Sequence, residues 1–454
     1  QVQIDKLRGI IDMLTIKHKE GCRMKINSMK MFLLVIFVLL VYTIPAQAVP
    51  AGMMDPESIP GNIKFGSLKV HPYVYVDQTW TDNVFQRNGL WGPTVQNGKY
   101  YSSSGNRSDT INKVTPGIRF FLPFGGTHLF HLNYNADLKT YNVFSQFNNQ
   151  DQLLHAAVGF DFASGLNLLV RNDFIKANTP PRSLSGMTDE YTMNTSGLET
   201  SYKFADKYKI AAFYEYETKS FSPSNGNAQW DNYTQHKPGL TFFYRFLPLT
   251  SALLEFSWQS RSYSRPDYVT TNIDSDYYNL WTGLSWEPAA RIKGTFKIGY
   301  TSAKFKSSVS NWSGLGFKGD VTYAFTNRTH FNLNAFREVL ATSFTAFNSP
   351  YGDYYISTGA TLSVNHQFPS NFVGKVNIGY TNNDYAQYGI YTPRNGQRKV
   401  KQNVNNPNFG LGLDYIIRKG TSLGVHYRYN NYDSNIDVEK YKENRLGFLL
   451  SIAL

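Results

Sequence analysis

The chain has 454 residues, 16% of them aromatic, and a mean hydropathy of -0.38, so it is rich in Tyr and Phe without being greasy in long blocks. That balance suits strands that are apolar on one face only. The single cysteine excludes a disulfide framework, and a net charge of +12 carried by scattered Lys and Arg lacks the clustered stripe of a nucleic-acid binder.

The first apolar run is Phe32 to Tyr42, preceded by Lys25 and Lys30 and followed by Pro45 and Ala46-Gln47-Ala48. It falls short of the roughly 20 apolar residues that a membrane helix needs, and its flanks are those of a secretory signal peptide with an A-x-A cleavage site. The expected organisation is an upstream extension at 1–23, a signal peptide at 24–48, a periplasmic linker at 49–66 and the main domain at 67–454. Export removes Cys22, seven Lys/Arg and three Asp/Glu, which lowers the net charge from +12 to +8.

From Leu68 onward the pattern is alternation with a period of two, the mark of a strand wet on one side. Phe130, Leu132, Tyr134, Ala136 and Leu138 share one face against His131, Asn133, Asn135, Asp137 and Lys139. The same holds for Ile292 to Tyr300 and for Leu423 to Tyr429. Each apolar face matches the 9 to 11 tilted residues that cross a bilayer.

Tight-turn signals recur at intervals near 40 residues: Gly125-Gly126, Ser164-Gly165, Ala205-Asp206, Pro248-Leu249, Pro288-Ala289, Asn327-Arg328, Pro369-Ser370 and Lys419-Gly420. Such a repeat reads as strand, loop, strand, turn. A β-propeller shares the period but needs four short strands in each repeat. An aromatic precedes most turns (Phe124, Phe162, Phe204, Phe246, Trp286, Phe325, Phe368) and would form a belt at one membrane boundary. Longer polar segments lie between: Thr81 to Arg107, Thr179 to Asp189, Ser222 to Gln229, Arg265 to Ser275 and Gln387 to Asn403. The expected fold is all-β, a transmembrane antiparallel up-and-down barrel of about 18 strands with short periplasmic turns and long extracellular loops.

No catalytic grouping, nucleotide loop or metal cluster emerges from the sequence, and no enzyme activity or cofactor is expected. The content lies in the lumen wall. Positions out of phase with the apolar stripe place Lys237, Arg245, Arg261, Arg291, Lys293, Lys297 and Lys318 inward on the eighth to twelfth strands, and Glu199, Glu215 and Glu217 inward on the sixth and seventh. Charges on such a wall either bias which ions enter or keep the lumen wet through salt bridges.

Three segments carry a resemblance: His71-Pro72-Tyr73-Val74-Tyr75-Val76, Thr81-Asp82-Asn83-Val84-Phe85, and Val114-Thr115-Pro116-Gly117-Ile118. They are similar to motifs of the β-barrel porin family often found beside exopolysaccharide biosynthesis genes. The resemblance implies an outer-membrane barrel with a role in porin-type transport or polysaccharide secretion, and it supplies no active-site residues. On their own chemistry, Thr81, Asp82 and Asn83 read as a strand-end cap, with ligand binding as the alternative. Pro116 marks a bulge or a non-bonded ladder position.

The expected partners are outer-membrane lipid, the barrel-assembly machinery during biogenesis, and small hydrophilic solutes or polysaccharide in the lumen. The rival reading is a closed structural barrel that anchors surface polysaccharide or a periplasmic partner.

Overall fold

A one-sided apolar strand is stable in a bilayer only when its backbone N–H and C=O groups are paired on both sides, so a sheet of such strands must close on itself. The computed structural model describes Met53 and residues 63–86, 94–96, 99–101, 108–125, 127–179, 188–222, 231–264, 274–287, 291–306, 311–341, 354–391, 398–436 and 439–454. The first strands of the wall are β1 (Leu68–Thr81), β2 (Asp109–Phe124), β3 (His128–Tyr141), β4 (Asn149–Asp161), β5 (Leu166–Asn178) and β6 (Glu190–Phe204). There follow β7 (Tyr208–Phe221), β8 (Tyr233–Leu247), β9 (Thr250–Tyr263), β10 (Ser275–Trp286), β11 (Ile292–Phe305) and β12 (Trp312–Ala324). The last are β13 (Thr329–Ala341), β14 (Tyr354–Gln367), β15 (Phe372–Tyr391), β16 (Arg398–Arg418), β17 (Thr421–Ser434) and β18 (Tyr441–Ala453).

Each strand pairs antiparallel with the next, and β1 pairs with both β2 and β18, which closes the sheet. The sheet counts 19 strands because the short Ile63–Phe65 folds back on Leu68–Val70 through Gly66, leaving 18 in the wall. That is the number given by the turn signals. The linker therefore contributes ladder hydrogen bonds at its C-terminal end.

Every expected tight turn falls between consecutive strands, at the end of the barrel where β1 starts and β18 stops. The connections there run from 248–249 and 419–420 at the shortest to 287–291 at the longest. Gly126 and Pro288-Ala289 lie outside the described residues. Gly165 (φ 85) and Gly420 (φ 87) occupy the left-handed region that their turns require, and Ala205 (φ 46) holds a similar conformation despite its Cβ.

Of the expected long loops, Gln387 to Asn403 is corrected. β15 runs to Tyr391 and β16 begins at Arg398, so most of that segment is hairpin, paired from Tyr388↔Lys401 to Tyr391↔Arg398 after a register shift beyond Asp384. The alternation signal exists only where one face meets lipid; a strand projecting past the bilayer can be polar on both faces and then reads as loop.

The outward face bears out the assigned phase. Tyr134, Leu138, Phe296, Ile298, Tyr300, Leu423 and Val425 are exposed, while their ladder neighbours in the sheet place the alternate residues inside. Phe124, Phe162, Phe204, Phe246, Phe325 and Phe368 stand exposed at the turn end as one girdle. A second girdle, Trp80, Tyr214, Trp258, Tyr278, Tyr300 and Tyr380, borders the apolar band on its other side. Beyond it the outward residues become polar, as with Thr218, Thr234, Ser260 and Asn382, so the strands extend past the hydrocarbon.

Three mid-strand prolines sit at gaps in the ladder. Between β2 and β3 the pairing skips Thr115 and Pro116 with the same register on both sides, so Pro116 marks a non-bonded position rather than a bulge. Pro238 and Pro407 sit at equivalent gaps between β8 and β9 and between β16 and β17. A residue without an N–H is tolerated where the neighbouring strand asks for none.

Candidate functional site: the lumen wall and its seam

The lumen-facing positions carry most of the charge of the wall, and glycines organise them. Arg171 on β5 lies directly opposite Gly197 on β6, which lies opposite Glu215 on β7. A Cβ at Gly197 would come within 2.8 Å of Arg171 Nε, so the missing side chain lets the guanidinium lie across β6 and reach Glu215 at 2.8 Å. The same arrangement recurs. Lys297 on β11, opposite Gly283 on β10, reaches Glu255 on β9 at 2.5 Å. His426 on β17 lies over Gly447 on β18 and contacts Thr79 Oγ1 on β1 at 3.3 Å, with Asp77 3.7 Å away. The ring of Trp281 on β10 spans Gly299 and Gly316 on the two following strands. Long side chains thus stitch strands that share no ladder.

Around Arg171 the contacts form one network. Asp173 accepts from His155 Nδ1 at 2.6 Å and lies 3.4 Å from Arg171, Glu199 lies 3.7 Å from Arg171, and Lys237 approaches Glu215 at 3.8 Å. Glu217 instead accepts from the Tyr233 hydroxyl at 2.7 Å and from Thr195 at 3.1 Å.

The seven basic positions divide by partner. Lys237 and Lys297 belong to the pairs just described, Lys318 meets Glu338 at 2.7 Å, and Arg245 lies 3.9 Å from Glu287 while donating to the Asp206 carbonyl. Arg261 has neutral partners: it donates to Gln235 Oε1 from Nε and Nη2 (2.9 and 2.6 Å) and lies 4.3 Å over the Tyr233 ring. Lys293 makes no ion pair among the described residues, and Arg291 stands exposed in the bend before β11. The positions fall at different heights along the barrel, from Arg245 and Lys293 near the turns to Arg261 near the loops, so the structure does not bring them together as one ring.

The motif residues serve the seam, where the first strand meets the last. Asp82 accepts from the backbone N–H and the side-chain amide of Asn444 (2.8 and 2.6 Å), and its own N–H donates to Asn444 O. Fully buried Thr81 donates to Glu443 Oε1 at 2.9 Å, Gln86 donates to Glu443 Oε2, and Asn83 donates to the Lys442 carbonyl. Arg445 supplies the charge opposite buried Glu443. Val84 and Phe85 then pack with Phe144 and Phe147 and with Ile111 and Tyr141. Of the two readings of this motif, the cap is the one with bonds on it, but the partners lie across the seam rather than in the local turn.

The other two motifs meet each other. Tyr73 lies over Gly117, where a Cβ would fall 2.2 Å from the ring, and its hydroxyl donates to Asn133 on β3 at 2.9 Å. Arg119 lies over that ring, 4.1 Å from its centroid. Nothing in a one-dimensional pattern signals that these segments are in contact; only the shared phase of Tyr73 and Gly117 hints at it.

A closed barrel of this size, apolar outside and charged inside, defines the class of porin-type outer-membrane barrels. The family described as Putative beta-barrel porin 2 matches residues 60–453, and this chain belongs to it. Among solved structures, the chain is similar to OpdO of Pseudomonas aeruginosa, with 13% identity and a TM-score of 0.42 over 85% of this chain and 97% of that one. Similarity to OpdK of the same organism has 10% identity and a TM-score of 0.42, covering 85% and 99% of the two chains. The FrpB iron transporter of Neisseria meningitidis aligns at 10% identity and a TM-score of 0.43, over 80% of this chain and 61% of that one. None of the curated protein sequences matches this chain.

Proposed function

We propose that this barrel is a channel for hydrophilic solutes across the outer membrane, reached after export by the signal peptide at residues 24–48. The observation that carries the reading is the wall itself: 18 strands close a ring wide enough to hold water, and its inner face is charged throughout the middle of the barrel. Family membership supports a transport role over an enzymatic one. An exopolysaccharide on its way out is the larger cargo that fits this reading, since its hydroxyls would meet the same wet wall.

Selectivity follows from which charges are already compensated. Arg171, Lys237, Lys297 and Lys318 have carboxylates within 4 Å, so they hold the wall together more than they attract ions. Lys293, Arg261 and Lys219 are among the cations left to bias the current toward anions, weakly and only within about one Debye length, near 8 Å at physiological salt. The test is swelling of liposomes loaded with the purified barrel. Entry of small sugars supports the channel, whereas exclusion of every solute down to the size of glycerol favours the closed anchor. The mature chain is expected to start at Val49, which intact-mass measurement of outer-membrane material decides.

A further inference from the structure

The loop-end half of the wall on β6 to β9 differs from the rest of the lumen. Tyr191, Phe221, Tyr233 and Tyr263 stand on four consecutive strands at one height: Tyr191 lies opposite Phe221, Tyr233 opposite Tyr263, and Tyr233 also opposite Lys219. Their centroids are 5.7 Å apart in the first pair and 5.6 Å in the second. All four rings are half-buried, leaving part of each at the lumen surface.

The cations here rest on rings instead of carboxylates. Lys219 Nζ sits 4.5 Å from the Tyr191 ring and 4.8 Å from that of Phe221. Arg261 lies over Tyr233 and donates to Gln235 and to the Tyr263 hydroxyl, which uses three of its nitrogens on neutral acceptors. Of the nearby carboxylates, Glu217 is held by Tyr233 and Thr195, and Asp231 attracts Lys219. In the middle of the barrel, by contrast, Arg171 and Lys297 each have an acid within hydrogen-bonding distance. Outward residues at this height, Thr218, Thr234 and Ser262, are polar, so the patch lies above the apolar band at the outer mouth.

We propose that this patch is a binding site for ring-shaped anionic solutes of the hexuronate class. The C–H face of a pyranose carries a partial positive charge that suits the π faces of the tyrosines, and its hydroxyls meet the Tyr263 hydroxyl at the rim of the patch. The carboxylate of a uronate supplies what Arg261 lacks, a charged partner with geometry suited to a guanidinium fork. A neutral sugar meets the rings but leaves Arg261 uncompensated, and a small inorganic anion gains nothing from the rings.

The inference rests on solutes entering the lumen, and its test separates the two claims. Calorimetric titration of the detergent-solubilised barrel reads binding without conduction, using digalacturonate against cellobiose. Digalacturonate is expected to bind about tenfold more tightly, the difference that one charge-assisted contact makes. Arg261→Met should abolish that preference while keeping the heat-modifiable folded band, and Tyr263→Phe, a milder change, should reduce it. Equal affinity for the two sugars, no binding of either, or an unchanged preference in folded Arg261→Met overturns the proposal. In planar bilayers digalacturonate should also interrupt the current; binding in detergent by a barrel that never conducts would keep the site and sink the channel reading.

Discussion

The seam between β18 and β1 and the wall from β5 to β13 are built from the same ladder, yet they hold their side chains differently. At the seam, Thr81 and Asn83 are buried and Asp82 and Gln86 half-buried, and all four bond to the stretch Lys442 to Asn444, some 360 residues away. In the wall, the acids and bases meet across glycines and keep contact with lumen water; Arg171 and Lys237 are about a third exposed. A bond formed away from water is costly to break because its partner cannot be resolvated, whereas an exposed pair loses little. The motif from Thr81 to Phe85 therefore marks closure, and the charges mark the inner face of the wall.

Removing one carboxylate on each side should break this comparison most strongly. Glu443→Ala strands the Thr81 hydroxyl and leaves Arg445 beside a cavity, with an expected loss of about 3 to 5 kcal/mol. Glu338→Ala frees the half-exposed Lys318 to turn into the lumen and should cost about 1 kcal/mol. Urea unfolding in lipid vesicles, followed by the heat-modifiable gel band, measures both. Equal losses would mean that the seam is no more than another pair of strands.

Next in size is the contrast between the two faces of a single strand. Phe296→Arg, outward at the middle of the apolar band, is expected to destabilise by about 2 to 4 kcal/mol, and Thr295→Arg by far less, since Thr295 lies opposite Asp320 on the inner face. The structure makes Thr295 a better control than Asn133 or Gly424, because Asn133 holds the Tyr73 hydroxyl and a Cβ at Gly424 would meet Asp414. Similar losses at 295 and 296 would show the phase to be wrong.

A smaller effect sharpens the role of glycine in the wall. Gly197→Val should push Arg171 off Glu215 at a cost of about 1 to 2 kcal/mol, and reversal potentials under a salt gradient should move toward cations as Glu199 and Glu215 lose their partner. Unchanged selectivity would place this network outside the ion path. The smallest change expected is a gain: Ala205→Gly relieves a left-handed Cβ in the turn between β6 and β7, for about 0.5 to 1 kcal/mol in the same unfolding assay.

Much of this fold is legible without coordinates, because its signals are local. Alternation at Phe130 to Leu138 and at Ile292 to Tyr300 places those residues on the lipid side, and turn dipeptides such as Ser164-Gly165 and Lys419-Gly420 set the strand count at 18. Both follow from the two-residue repeat of a strand and from the φ values that short turns demand, properties of the chain over a few residues. The second aromatic girdle and the hairpin at Tyr388 to Lys401 escaped that reading, since neither is tied to a turn residue or to a lipid-facing period.

What tertiary structure alone decided is which residues share a height. Alternation tells that Arg171, Gly197 and Glu215 all face inward, but only the register between β5, β6 and β7 puts them in one row, so that a missing side chain becomes a bridge. Likewise Asp82 and Asn444 are each unremarkable polar residues until closure brings the two ends of the wall together. Facing direction is set residue by residue through backbone geometry. Neighbourhood across strands is set by the stagger that closes the ring, a property of the whole barrel that no short stretch of sequence contains.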